Sequence, residues 1–597
     1  AKTESFTGSI NDKQSQASMN FNVPQARRIA STKLEIQYSP TLAGAMVDAL
    51  PYLVAYPYGC TEQTLSRFLP TVITQNVLNK MGVNLSDIKN KQNNLNPQEL
   101  GDAQKRATQW QQYKHNPVFD AAEVKRMSAH GIERLAAMQL SDGGWGWFSG
   151  IGERSSAHTT AYIVHGLQLA KQNGLTIPND VLQRGITWLK RYLNKRHKHI
   201  RAGEKLQPKQ TRRARNVDAF VYMLLIENGL KKHAMSHYLY RDNNQLSVYA
   251  KAMLALAFHK LGDKKKRVQL QRNIEQYLVE DSENQTAYLE LPNQSYWWYW
   301  YGSDIEAHAY YLKLLARTQP KSKKAAWLVK YLINNRKHAS YWRSTRDTAV
   351  AIEALAEYIT ASGETEPDME IIVRLDGKEY KRLKINKQNL FSFDNRLILG
   401  GKQITSGKHT ISIERIGKGP VYFNAYLHYF SLEDYIKKAG LEIKVERQYY
   451  KLVRDNKRVA TADAQGQAVE YQTEKYQRVP INDLATLKSG ELVEVELSIQ
   501  SKNDYEYLLF EDMKPAGFEP IEVRSGYNGN DLGAYVEFRD ERVSFFVTRL
   551  RRGEHSVRYR MRAEIPGTFS ALPTRASAMY APELKANSDE IKIKVID

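Results

Sequence analysis

From about Thr41 to Tyr358 the apolar residues recur three and four positions apart, and from about Pro367 onward they alternate with polar ones. The first spacing predicts amphipathic helices and the second predicts half-buried strands. In AEVKRMSAHGIERLAAMQ, Val124, Met127, Leu135 and Met138 fall on one helical stripe. SSAHTTAYIVHGLQLAKQNG has serines where an N-cap belongs and Gly174 where a C′ glycine belongs. Ser303 and Glu306 stand in capping-box spacing. TAYIVHGLQLA, YAKAMLALAFH, HAYYLKLLA and TAVAIEALAEYI each read as a small-residue start followed by an apolar helix. Such a recurrence over about a dozen helices predicts helix pairs stacked in a ring or solenoid.

In the β half, MEIIVRLDGKEYKRLKI holds a DG turn between two strand-like runs. HTISIERI, VYFNAYLHYF, LEIKVERQYY and LVEVELSIQ alternate, and a break falls near Leu432 to Gly440. Two sandwiches are therefore expected after residue 367. KLEIQYS, ahead of the helices, is also strand-like. Helices both preceded and followed by β-structure predict an insertion into a β-domain.

Length and charge add limits. At roughly 100–200 residues per domain, 597 residues make three to five units. No apolar run approaches the roughly 20 residues of a bilayer span. The polar opening AKTESFTGSIND lacks the apolar core of a signal peptide, so a soluble chain, mature or trimmed, is expected. The net charge of +21 makes nucleic acid or an anionic surface worth considering. The positive charge concentrates in Lys190 to Arg215 and in Asp263 to Arg267. No nucleic-acid motif accompanies these runs, and they read as solvated, mobile loops.

Cys60 is the only cysteine, so no internal disulfide framework exists. It stands in YPYGCTEQTLSRFLP, three residues before Gln63. At a helix start the two share a face. The helix dipole favours a thiolate there. Attack of that sulfur on the glutamine carboxamide, with loss of ammonia, gives a β-cysteinyl-γ-glutamyl thioester, which must be kept dry. Tyr52, Tyr56, Pro57 and Tyr58 suit an apolar wall. Other readings stand beside this one. A lone cysteine is commonly a small buried hydrophobe. A cysteine–histidine pair is conceivable among 14 histidines, but no flanking signature supports a protease. His197 and His199 make a poor zinc site, and His158 and His165, on one helix face, read as core or rim residues.

Pro57, Tyr58, Gly59, Cys60, Thr61, Glu62 and Gln63 match the P-Y-G-C-x-E-Q pattern of the alpha-2-macroglobulin and complement superfamily. The chain most resembles the bacterial alpha-2-macroglobulins. DGGWGWF (Asp142 to Phe148), Thr160 to Tyr162, EDMKPAGFEP (Glu511 to Pro520), DERVSFF (Asp540 to Phe546) and GTFSALPTRASAMYAPE (Gly567 to Glu583) extend the resemblance from about residue 30 to the end. It implies a multidomain α plus all-β chain. Residues 41–360 would form an α/α toroid thioester domain inserted in a CUB-like β-domain made of 1–40 and 361–437, and 438–597 a final macroglobulin-like β-sandwich. It also implies that aromatic residues cover the bond. Met579 and Tyr580 match the protecting pair from the last domain, while Trp147, Phe148 and Tyr58 would contribute from the toroid side.

The function implied is a broad-spectrum protease inhibitor of the periplasm or cell envelope, a bacterial defence protein. It would trap attacking proteases covalently through their lysine amines, using each thioester once and needing no metal or cofactor. The histidine that assists ester formation in the complement branch has no match at His158, so direct aminolysis is expected. Family members are far longer, so the chain reads as a C-terminal portion. The intact protein could carry a lipid anchor, and nucleic acid is not an expected partner. Two alternatives remain: a thioester-based surface-adhesion module, and an α/α-toroid carbohydrate-active enzyme whose aromatic run Ser295 to Asp304 would stack sugars.

Overall fold

The computed structural model describes the chain except residues 1, 12–13, 56–58, 83–115, 149–151, 207–211, 292–302, 337–340, 391–392, 456–458, 463–467, 472–474, 523 and 580. Tyr58, Tyr580 and most of the aromatic run at Ser295 to Asp304 therefore lie outside the described residues.

Among the described residues there are twelve α-helices: α1 (Gly44–Ala55), α2 (Thr61–Lys80), α3 (Ala121–Ala137), α4 (Ala157–Gln172), α5 (Asn179–Glu204), α6 (Asn216–Glu227), α7 (Met235–Arg241), α8 (Val248–Lys260), α9 (Lys264–Glu275), α10 (Asp304–Thr318), α11 (Lys323–Asn334) and α12 (Thr345–Ser362). The even-numbered helices touch in sequence, α2 to α4 and so on to α12, and α12 closes back on α2. The odd-numbered helices pack outside them. Inner helices such as α6, α8 and α10 are buried nearly all round, whereas α3 and α5 bury one stripe. That difference follows from composition: α6 and α8 are apolar along most of their length, α10 pairs its buried Glu306 with Arg346 and Lys313 with Glu353, and α3 and α5 alternate apolar residues with exposed charge.

The expected caps form. Ser156 Oγ accepts from the Thr159 amide, and Gly174 has φ +88°, the left-handed value that ends a helix. Ser303 Oγ accepts from the Glu306 amide at 3.0 Å. The return half of that capping box is missing, because the Glu306 carboxylate pairs with Arg346 on α12 instead, at 2.9 Å. The self-similarity of the helix starts has a structural counterpart. Trp145 Nε1 donates to Leu135 O at 2.8 Å, and the Trp145 amide to Thr160 Oγ1 at 2.9 Å. Trp342 Nε1 donates to Leu332 O at 2.8 Å, and the Trp342 amide to Thr348 Oγ1 at 3.1 Å. Both indoles are fully buried, each fastening an outer helix to the start of the next inner one.

Ahead of the ring lie β1 (Lys2–Ile10), β2 (Gln16–Val23) and β3 (Lys33–Ser39). Within it is the hairpin β4 (Leu278–Asp281) and β5 (Thr286–Leu289). After it come β6 (Asp368–Leu375), β7 (Lys378–Ile385), β8 (Arg396–Gly400), β9 (Gly407–Lys418) and β10 (Val421–Tyr429). Two four-stranded sheets, ordered β1-β10-β3-β8 and β2-β9-β6-β7, mix strands from both sides of the helices. Asp376 and Gly377, both at positive φ, turn β6 into β7. Glu364, fully buried where the chain leaves the ring, accepts from Thr41 Oγ1 at 3.1 Å, from the Leu42 amide at 3.0 Å and from Tyr422 OH at 2.7 Å. One carboxyl thus joins both ends of the ring to β10.

The last unit packs a five-stranded sheet containing Ile443–Asp455 and Leu492–Ser501 against a six-stranded one containing Tyr505–Met513 and Arg542–Leu550. A buried Arg447–Asp512 pair at 2.7 Å ties the two sheets, with Tyr559 and Thr574 also donating to Asp512. This unit meets the helical ring at the β4–β5 hairpin. Lys502 pairs with Asp281 at 3.0 Å and Glu283 at 2.7 Å, the Asn335 carboxamide bonds Asn503 and the Asp504 amide, and Arg552 stacks on Tyr288 at 3.6 Å.

The basic run at Lys190 to Arg215 is a correction to the loop expectation. Lys190 to Glu204 continue α5, because Leu189, Leu193 and Ile200 keep the helical spacing and bury one side. Asp263 likewise N-caps α9, accepting from the Lys266 amide at 3.1 Å.

Candidate functional site

Cys60 is the N-cap of α2, with φ −66° and ψ 172°. Its amide donates to Gln63 Oε1 at 3.1 Å. This is the side-chain half of a capping box, the glutamine reaching back to the N-cap amide. It brings the nucleophile and the carboxamide together and points an N–H at the carbonyl oxygen. Gln63 is half-buried while Cys60 is only 3 % exposed.

The start of α2 is fixed from three sides. The Thr61 amide donates to Trp147 O at 3.1 Å, and Thr61 Oγ1 donates to Gly146 O at 2.9 Å. The DGGWGWF segment therefore touches the motif through its backbone. Gly59 O accepts from Arg134 at 3.0 Å, and a Cβ at Gly59 would lie 2.5 Å from that guanidinium, so a larger residue there would push the Arg134 side chain aside. On the inner side Glu62 accepts from Ser66 Oγ at 2.6 Å and Thr345 Oγ1 at 3.2 Å, joining α2 to the first turn of α12.

The thiol differs from the expectation. Burial pushes the Cys60 thiol above its ordinary value; the Gln63 amide pulls it down, and the Glu62 carboxylate pushes it further up. Desolvation therefore outweighs the helix N-terminus that was expected to lower it. A thiol of raised pKa is a poorer leaving group, so an acyl group on this sulfur is stored more safely. Burial also raises the Glu62 carboxyl, partly offset by Ser66, Thr345 and Arg346. His158 lies close enough to Arg346 that burial and this cation hold its pKa down to about 3. His165 is a core residue, 2.8 Å from Glu353.

Not every residue expected to cover the site is brought to it by its side chain. Trp147 and Phe148 are 38 % and 55 % exposed. Met579, 43 % exposed, sits just after the strand Arg575–Ala578, and its amide donates to Tyr507 O at 2.9 Å. Tyr507 has φ +56°, a left-handed backbone uncommon for an aromatic residue. Its neighbours Tyr505 and Glu506 line a cavity with Asp304 at the start of α10 and with Arg343 just ahead of α12. Glu62–Thr345 links α2 to α12 and Arg346–Glu306 links α12 to α10, so the last unit meets the ring at helix starts joined to the one that carries Cys60. The chain of contacts through Thr345, Arg346 and Glu306 was not foreseen. Its one sequence signal is a charged Arg-Asp pair in the first turn of an otherwise small and apolar inner helix.

The fold and this motif define the class as a thioester-domain protein: residues 38–358 match the A-macroglobulin TED domain. Residues 443–583 match the bacterial alpha-2-macroglobulin MG10 domain. The chain belongs to the alpha-2-macroglobulin family and corresponds to the C-terminal portion of a bacterial member. It is 24% identical to an alpha-2-macroglobulin homolog of Nostoc over 81% of this chain and 24% of that protein. It is 21% identical to the alpha-2-macroglobulin of Escherichia coli over 89% of this chain and 28% of that protein. Among solved structures, trypsin-activated alpha-2-macroglobulin from Escherichia coli is 17% identical, with a TM-score of 0.49, over 99% of this chain and 36% of that one. The chain thus spans about a quarter of the length of these curated relatives.

Proposed function

We propose that Cys60 and Gln63 form an internal thioester that acylates, once, a lysine amine of an attacking protease. The observation that carries this is the Cys60 amide 3.1 Å from Gln63 Oε1, which holds the carboxamide against the N-cap residue that bears the thiol. In formation, the sulfur attacks Cδ of Gln63, the oxygen takes up charge beside the Cys60 N–H, and ammonia leaves. In use, an amine nitrogen attacks the same carbon, the carbon–sulfur bond breaks, and the amine's proton goes to the departing sulfur. Nothing regenerates the bond, so the protein is an inhibitor and not a turnover enzyme. Neither metal nor cofactor takes part.

Gly59, Thr61 and Glu62 hold the start of α2, and Trp147, Phe148, Tyr58, Met579 and Tyr580 are the residues assigned to cover the bond. The seam beside Tyr505 and Tyr507 supports that assignment for Met579. Residues 1–40 with 361–437 are assigned to a CUB-like domain, 41–360 to the thioester toroid and 438–597 to the last macroglobulin domain. The site of action is the periplasm or cell envelope. An adhesive role would use the same chemistry. The toroid-enzyme reading has less support: Glu62, Glu306 and Asp347 already pair with Thr345, Arg346 and Ser303.

Intact-mass spectrometry tests the proposal. The untreated chain should be lighter than its sequence by one ammonia. Methylamine should add at Gln63 and release one titratable thiol, whereas glycerol should not label. A mass equal to the sequence in freshly prepared full-length protein, with the thiol free from the start, would overturn it. Cys60→Ser should abolish labelling without unfolding the ring.

A further inference from the structure

The long outer helix α5 presents a cationic face that the thioester chemistry does not use. Its 26 residues make a rod of about 39 Å. Its buried stripe is Val181, Leu182, Ile186, Leu189, Leu193 and Ile200. Its exposed side carries Arg184, Lys190, Arg191, Lys195, Lys198, Arg201 and, just past its end, Lys205. At 100° per residue these fall within an arc of about 140°. Between Asp180 in the first turn and Glu204 in the last, α5 holds no acidic residue. Glu204 is occupied by Arg241 at 2.9 Å and by Tyr238 at 3.0 Å.

Neighbouring elements widen the patch. The His233 ring bonds Asn194 at 3.0 Å, which brings exposed Lys231 and Lys232 alongside. Arg212 bonds the His199 carbonyl at 3.2 Å, and exposed Arg213 follows it. The nearby carboxylates are engaged from beneath. Asp218 is fully buried against Arg196 and Tyr192, and Asp242 is held by Arg241 and the Ala214 amide. Among the described residues Lys190, Lys195, Lys198 and Lys205 have no ion pair, and all four are exposed.

We infer that this face of α5 docks the protein on an anionic phospholipid bilayer. A rod of about 39 Å with its cations spread along one exposed side presents them to a plane of phosphates along its length. The aromatic residues on α5 are unavailable for stacking on bases, since Trp188 donates to Asp142 at 2.8 Å, Tyr192 donates to Asp218 at 2.8 Å, and the two rings stack on each other. Apart from Leu206 at its end, the exposed face has no large apolar side chain, so the attachment is electrostatic adsorption at the headgroups and not insertion. It would hold the ring in a fixed orientation on the membrane, independently of whether the thioester forms.

The test is sedimentation of the 597-residue chain with vesicles. Vesicles containing phosphatidylglycerol should carry it down at low salt, phosphatidylcholine vesicles should not, and high salt should release it. A lysine near such a surface contributes about fivefold in partitioning, so Lys190→Gln, Lys195→Gln, Lys198→Gln and Lys205→Gln together should weaken binding by roughly 100-fold or more. A control with the same charge loss, Lys402→Gln, Lys408→Gln, Lys437→Gln and Lys488→Gln, removes exposed lysines elsewhere and should bind nearly as well as the parent. Absence of binding to the anionic vesicles at low salt, or equal losses in the two variants, would overturn the inference. So would stronger retention of a short DNA duplex than of vesicles at matched phosphate, which would assign the face to nucleic acid. Should the α5 variant fail to fold, Lys231→Gln with Lys232→Gln provides the same comparison from the adjoining loop.

Discussion

The Cys60 amide donates to Oε1 of Gln63 at 3.1 Å across the first turn of α2. Four residues therefore contain the thiol and the carboxamide of the proposed thioester, with an N–H held at the carboxamide oxygen. The next residues tune the sulfur. Glu62 raises the thiol beyond what burial does alone. Its carboxylate is held by Ser66 and Thr345, and a glutamine amide oxygen can accept the same two bonds. Glu62→Gln should thus keep the fold and lower the Cys60 pKa. Alkylation rates of the methylamine-discharged chain across pH measure this. An unchanged profile would mean that Glu62 does not act on the sulfur.

The paired indoles make a second prediction. Trp145 and Trp342 each satisfy a buried carbonyl ten residues earlier and fill fully buried space. Trp145→Phe or Trp342→Phe leaves that carbonyl unpaired and a void beside it. Each should cost about 2–3 kcal/mol. The two sites share no hydrogen-bonding partner, so the double variant should lose the sum. Denaturant titration of the four proteins decides the point, and a marked shortfall from additivity would show that the ring couples them.

Much of this was legible in sequence because local chemistry decided it. Asp376–Gly377 makes the turn its dipeptide demands, Ser156 and Ser303 cap the helices they precede, and Val124 and Leu135 face the core. The failures occurred where partners distant in sequence take over. Glu306 abandons its capping box for Arg346, forty residues away. The Cys60 thiol is raised by a burial that no local pattern reveals. The basic run looked like a loop because its charges outnumber the apolar residues, yet Leu189, Leu193 and Ile200 sufficed to keep it helical. The residue types and spacing of CTEQ raised a thioester beside the commoner buried hydrophobe, and the resemblance is what favoured the thioester.

Glu364 predicts a pH dependence. Burial raises its carboxyl from 4.5 to about 7, partly offset by Tyr422, Leu42 and Thr41. A carboxyl raised on folding binds its proton more tightly in the folded chain. Its stabilising contribution is thus complete below the unfolded value and is lost as pH rises through about 7. The full shift is worth on the order of 3 kcal/mol. The melting temperature of the parent should therefore fall between pH 5 and 8 relative to that of Glu364→Gln, which has no proton to lose. Parallel curves would show that Glu364 titrates normally.

The seam between the ring and the last unit makes the final prediction. Lys502 sits between Asp281 and Glu283 of the β4–β5 hairpin, and the same short stretch leads into Tyr505 and Glu506 on the cavity by the ring. Burial tends to raise both hairpin carboxyls, but their partners, Lys502 among them, hold them below the ordinary range. Their contribution is therefore present above the unfolded pKa and lost as pH falls through the depressed one. Lys502→Glu places a third negative charge there. If the last unit covers the thioester, that repulsion should open the seam and speed discharge by methylamine, more so at low salt, where the repulsion is least screened. Thiol release followed in time measures it. Faster release that persists at high salt would point to general unfolding. An unchanged rate would show that this contact does not hold the cover, leaving the strand after Lys502 and the turn at Met579 as the remaining restraint.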